Sequence, residues 1–127
     1  ALGRAGGLWQ GRKIAALAEA HGAQIAPHLY AGPVEWAANI HLAAATPNLL
    51  MAETIDSPFH AALIGGAIGV EQGFIPLPQA PGLGIAFDEN LARAHPYTGD
   101  ALHLEMQEDP CDYAESNAFQ GGAPRDV

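Results

Sequence analysis

At 127 residues with 49% hydrophobic content, the chain can bury the core of one ordinary domain. Five Lys+Arg against fourteen Asp+Glu leave a formal net charge of −9, which repels phosphate backbones and argues against a nucleic-acid partner. There is no secretory h-region and no apolar run of about 18 residues, so no membrane partner is expected; the single cysteine, Cys111, excludes an internal disulfide and suits a cytoplasmic location.

Leu8 to His21 reads as a helix. Leu17 and Ala18 follow Ile14 at i+3 and i+4, which predicts these three on the inner face with Arg12 and Lys13 outside, and Gly22 supplies the C′ residue. Ala23 to Pro27 is a short apolar run of strand length that ends in His28. Gly32-Pro33 opens a second helix, with Pro at the first helical position, running to about Ala45. Its Val34, Ala37, Ala38, Ile40 and Leu42 are so small and apolar that close packing is predicted. Thr46-Pro47-Asn48 stops it, and Leu49 to Glu53 reads as a second buried strand ending in one acid.

An α-β-α-β order with short connections predicts parallel strands joined by right-handed crossovers. Parallel sheets are covered on both faces, so two strands alone are insufficient and further strands are expected upstream. Beyond Glu53, Phe59 to Ile64 reads as a short helical turn. Ile68 to Val70 and Phe74 to Leu77 flank Glu71-Gln72-Gly73, a hairpin signal. Pro78, Pro81, Gly82 and Gly84 mark an extended, turn-rich crossing, and Asp88 is placed to cap a helix over Glu89 to Ala94. From Pro96 the chain is acidic, Pro/Gly-punctuated and aperiodic, and a surface arm is expected, partly disordered from Gly121 to Val127.

A His at the end of one buried strand and a Glu at the end of the next is how a parallel β/α barrel presents catalytic groups at its C-terminal rim. Such a barrel needs about 250 residues, so an N-terminal portion is expected to be absent from this chain. Tyr30 and Trp36 follow His28 and are candidates for lining a substrate mouth. His41, in an Ala-rich helix, reads as a packing residue. His60, His95 and His103 stand at spacings that make no metal site. Gly3-x-x-Gly6-Gly7 has neither dinucleotide-binding spacing nor a P-loop lysine.

Four segments in this order resemble the C-terminal part of the mandelate racemase/muconate lactonising branch of the enolase superfamily. They are Leu2-Gly3-Arg4-Ala5-Gly6-Gly7 entering a helix, Ala26-Pro27-His28, the strand ending in Glu53, and Pro81-Gly82-Leu83-Gly84-Ile85. The resemblance implies an α/β fold: the C-terminal portion of a (β/α)7β TIM-type barrel, with the segment that returns to a capping domain. Residues 1–64 then hold the last β/α units, 65–95 the return segment and 96–127 a C-terminal arm.

By the same resemblance His28 matches the general acid/base of the seventh strand, and Glu53 matches the carboxylate of the eighth, which hydrogen-bonds substrate or intermediate. An imidazole suits that work because its unperturbed titration lies near neutrality. A Glu at the opposite rim donates a hydrogen bond if burial keeps it protonated. Tyr30 is the substrate-binding candidate. The implied cofactor is Mg²⁺, with its ligands upstream and none in this segment. The implied substrate is a small-molecule carboxylate, and the implied assembly a homo-oligomer, from dimer to octamer.

The implied activity is proton abstraction α to a carboxylate. The Pro27 to Pro33 run favours a dehydratase of sugar acids (aldonates or aldarates) over a racemase, epimerase or cycloisomerase of the same family. A non-catalytic fragment lacking the metal site is a second reading, and a small stand-alone α/β binding domain a third. The acid that pairs with the family's His stands five residues before the Gly-Gly, a position held here by Ala1: either the chain starts at a substituted position, or the acid lies just before Ala1 with a one-residue difference in the loop. In the first case His28 lacks the group that orients it.

Overall fold

The computed structural model describes residues 1–54 and 57–96; the expected arm, with His103 and Cys111, lies outside the described residues. The chain divides into two compact units, Ala1–Ala94 and His95–Val127, and the elements below belong to the first.

A single helical turn, α1 (Leu2–Ala5), opens the unit and is stopped by Gly6 in the left-handed region at φ 96°. Its early N–H at Gly3 donates to the Glu35 carboxylate, 3.0 Å away, so the capping acid comes from a later helix and not from the local sequence.

Helix α2 (Leu8–Ala20) ends as its sequence predicts. Gly22 sits at φ 67°, its N–H donates to the Glu19 carbonyl at 2.9 Å, and the Ala23 N–H donates to the Ala18 carbonyl at 2.8 Å. These are the paired bonds of a Schellman cap. The inner face differs from the expected one. Gly11 and Ala15 are the buried residues of α2, whereas Ile14 and Leu17 are exposed. The reason is distance: a Cβ at Gly11 would stand 2.5 Å from Leu2 Cδ2 and 3.1 Å from Leu42 Cδ2. The neighbouring side chains already fill the space that a larger residue would need, so the small face of α2 is the one that faces them.

Helix α3 (Pro33–Ala44) begins with Pro at its start, as predicted, and buries Trp36, Ala37, Asn39, Ile40, Leu42 and Ala43. Its far end is closed by Thr46, whose hydroxyl donates to the Leu42 carbonyl at 2.7 Å. Trp36, Ala37 and Ile40 join Leu29, Ile64 and Ile68 in the core, with Ile75, Leu83 and Ile85 packed against them. Trp36 is therefore a core residue and not part of a substrate mouth.

The two expected buried strands are reduced to one parallel bridge, Ile25 to Leu49. Ile25 N–H donates to the Asn48 carbonyl at 2.9 Å, and Leu50 N–H donates to the Ile25 carbonyl at 2.8 Å. That slanted pair is the bonding of parallel strands. Leu50 and Met51 stay 56% and 59% exposed, because no element of the unit covers that side. The parallel direction matches the sequence reading; a barrel is not formed among the described residues. Asn48 secures the junction by donating to the carbonyls of Ala15 at 3.2 Å and Ala23 at 2.8 Å.

Helix α4 (Pro58–Leu63) follows Ser57, whose hydroxyl accepts from His60 N–H. The return segment then makes a two-residue turn. Gln72 and Gly73 both have positive φ, at 51° and 84°, and Glu71 and Phe74 exchange backbone bonds of 2.7 and 2.9 Å. Positive φ at both central positions is the signature of a primed hairpin turn. Asp88 caps α5 (Glu89–Ala94) by accepting from Leu91 N–H at 2.9 Å. Asp88 N–H in turn donates to the Leu63 carbonyl at 2.8 Å, tying α5 to α4. Among the described residues no helix is long and apolar enough to cross a membrane.

Candidate active site

The parallel register explains why two residues far apart in sequence meet. With Ile25 opposite Leu49, chains running in the same direction carry His28 and Glu53, three and four residues further on, to one rim. They do not face each other across a mouth. His28 Nδ1 lies 2.7 Å from Glu53 Oε2, and Leu29 N–H donates to the same carboxylate oxygen.

A carboxylate can only accept, so the pair fixes a proton on Nδ1 and leaves Nε2 as the nitrogen available for chemistry. Among the described residues Nε2 has no hydrogen-bond partner. The side chains are 58% and 48% exposed. Glu53 is thus not buried; its Oε2 accepts two hydrogen bonds in a half-solvated setting. An exposed pair of this kind contributes only about 0.2–1 kcal/mol to stability, so its value lies in orientation.

The backbone beneath is held from α3. Asn39, buried in that helix, donates from Nδ2 to the His28 carbonyl at 3.4 Å. The sequence reading missed this contact, although the lone Asn among the apolar residues of α3 was its signal. Beside His28 opens a cleft of about 340 Å³, walled by Leu2, Gly11, Ile14, Pro27 and Leu42 and reaching Ala1. Tyr30 is exposed and is not among the cleft's lining residues. His41 packs between elements, as expected, its Nε2 donating to the Leu83 carbonyl at 3.0 Å.

The sequence model of the family described as enolase C-terminal domain-like matches residues 1–91. The chain belongs to that family. Its enolase-like segment superposes on a mandelate racemase/muconate lactonizing enzyme-like protein from Roseovarius sp. TM1035 with a TM-score of 0.79 and 67% identity, covering 87% of this chain and 28% of that one. The D-gluconate dehydratase of Thermoproteus tenax is 31% identical over 108 residues, 83% of this chain and 21% of the relative. An enolase from Pantoea ananatis, solved with D-gluconate and magnesium bound, matches with a TM-score of 0.68 and 32% identity, over 74% of this chain and 23% of its own. The chain therefore spans 21% to 28% of the length of these enolase-superfamily proteins.

The divalent ion of such enzymes does not fit the residues described. No group of three or more His, Cys, Asp or Glu among them could hold a metal. A magnesium site asks for carboxylate oxygens in near-octahedral array, and Glu53 Oε2 is already engaged by His28 and Leu29.

Proposed function

We propose that residues 1–64 carry the acid–base end of an enolase-superfamily site whose substrate is a sugar acid and whose reaction is dehydration. The observation that carries this reading is the His28–Glu53 pair, held at one rim beside a cleft by a parallel bridge. The identity to a D-gluconate dehydratase supports the choice of reaction and substrate class.

In an aldonate the hydrogen on the carbon next to the carboxylate is removed, and the hydroxyl one carbon further leaves. His28 Nε2, with its lone pair exposed by the proton on Nδ1, is the group suited to exchange a proton at that centre. Once protonated, the same nitrogen can deliver that proton to the departing hydroxyl, so that water leaves and an enol remains to become the 2-keto acid. The metal that stabilises the carboxylate's developing charge in this superfamily would be held by groups other than those described.

In this reading residues 65–95 are the return to a capping domain and 96–127 an arm. Tyr30, exposed two residues after His28, is the substrate-binding candidate of this reading. The assembly is a homo-oligomer of the cytoplasm.

The test is His28→Asn in the protein that carries these residues, assayed for 2-keto acid formation from D-gluconate and related aldonates with Mg²⁺. Turnover is expected to fall by ~10²–10⁴, the range that general acid–base groups contribute, with Mg²⁺ affinity unchanged. Near-normal turnover would remove His28 from the mechanism.

A further inference from the structure

The orientation of the imidazole deserves a cause, and the described residues supply one. Ala1 and His28 line the same cleft, and among the described residues no carboxylate joins them there. The carboxylate that His28 does meet comes from the other strand end. Glu53 Oε2 accepts from His28 Nδ1 and from Leu29 N–H together. The second bond anchors the acid to the backbone of the residue that follows the histidine. Asn39 clamps the His28 carbonyl from the helix behind. Imidazole, carboxylate and backbone thus form a closed ring of hydrogen bonds, with Nε2 as its one free nitrogen.

We infer that Glu53 is the positioning residue of His28, setting its tautomer and ring orientation, and that it does not bind the substrate directly. A carboxylate bonded to Nδ1 keeps the proton there and leaves the Nε2 lone pair for the reaction. A substrate carboxylate or hydroxyl approaching Glu53 would have to compete with two donors already bonded to Oε2. The inference rests on the acid–base reading of His28, and the experiment separates the two.

Imidazole ¹⁵N spectra of the purified full chain, labelled at histidine, report the tautomer without any turnover. For the unaltered protein the expected His28 signal is that of protonated Nδ1 and unprotonated Nε2. In Glu53→Ala the two nitrogens are expected to move toward exchange-averaged positions, while in Glu53→Gln, which keeps an acceptor oxygen, most of the bias is retained. A His28 signal at the unfolded-chain position in the unaltered protein overturns the inference. So does a signal that Glu53→Ala leaves unmoved.

The kinetic arm uses a double variant. Glu53→Ala is expected to lower kcat by ~10²-fold or more, within the acid–base range, with KM nearly unchanged. Added to His28→Asn, it should cost nothing further, because a group acting through His28 has nothing left to position. A further tenfold loss in the double variant, or a rise in KM alone, would make Glu53 a substrate contact and overturn the inference. A tautomer shift in a protein that turns over no aldonate leaves the positioning intact and overturns the proposed reaction instead.

Discussion

Helices α2 and α3 are close in length, 13 and 12 residues, yet α3 buries seven of its residues and α2 only two. Apolar content does not explain the difference by itself, since α2 holds Leu8, Trp9, Ile14 and Leu17 and leaves all four exposed. The number of neighbours does. Helix α3 is wrapped by the segment after His28 on one side and by the return segment on the other. Helix α2 meets its neighbours through Gly11 and Ala15, where close approach gives contact without large side chains. Burial is decided by what surrounds a helix, and hydropathy records only what it could bury.

That contrast can be broken at three positions. Trp36→Ala empties the centre of the α3 cluster and is expected to cost about 3–5 kcal/mol of unfolding free energy. Denaturant unfolding followed by circular dichroism reads the loss; a value under about 1 kcal/mol would show that the cluster is not the core. Gly84→Ala comes next. Its φ is 73°, and an added Cβ would stand 2.3 Å from Pro78 Cβ, on a ring that cannot rotate away. Left-handed strain and overpacking together predict a loss of roughly 2–4 kcal/mol. Leu17→Ala, on the open face of α2, is expected to change stability by less than about 0.5 kcal/mol. A loss above about 2 kcal/mol there would mean that this face is covered in solution, and the contrast between the helices would fall.

Much of the fold was legible because local chemistry sets element ends. Gly22 after α2, Pro33 before α3, Gly73 in the hairpin and Asp88 before α5 each impose a backbone geometry or supply a cap that few other residues provide. The parallel direction of the Ile25 and Leu49 segments was legible too, because a helix-length crossover between short apolar runs permits little else. The inner face of α2 was not. Glycine and alanine mark close packing by lacking atoms, and an apolar-periodicity reading favours the large residues instead.

At the site, both ionisable residues stood out in the sequence, but their direct contact did not. It depends on a one-residue offset in register, which only the pairing of the two segments sets. Glu35 bonding Gly3 is the same kind of miss: a surface-looking acid of one helix satisfies the backbone of another.

The tie between His41 and Leu83 has a consequence for synthesis on the ribosome. It spans 42 residues, against 24 for the bridge from Ile25 to Leu49. Loop-closure entropy rises only about 0.6 kcal/mol per doubling of length, so length barely separates the two closures. What separates them is their reward. The bridge forms from residues that emerge before Ile75 but leaves Leu50 and Met51 open, whereas the α3 cluster lacks Ile75, Leu83 and Ile85 until the nascent chain has passed them. A nascent chain whose Leu49 has left the ribosome and whose Ile75 has not would therefore display Trp36 without its full cover, and that interval is when a chaperone has most to hold.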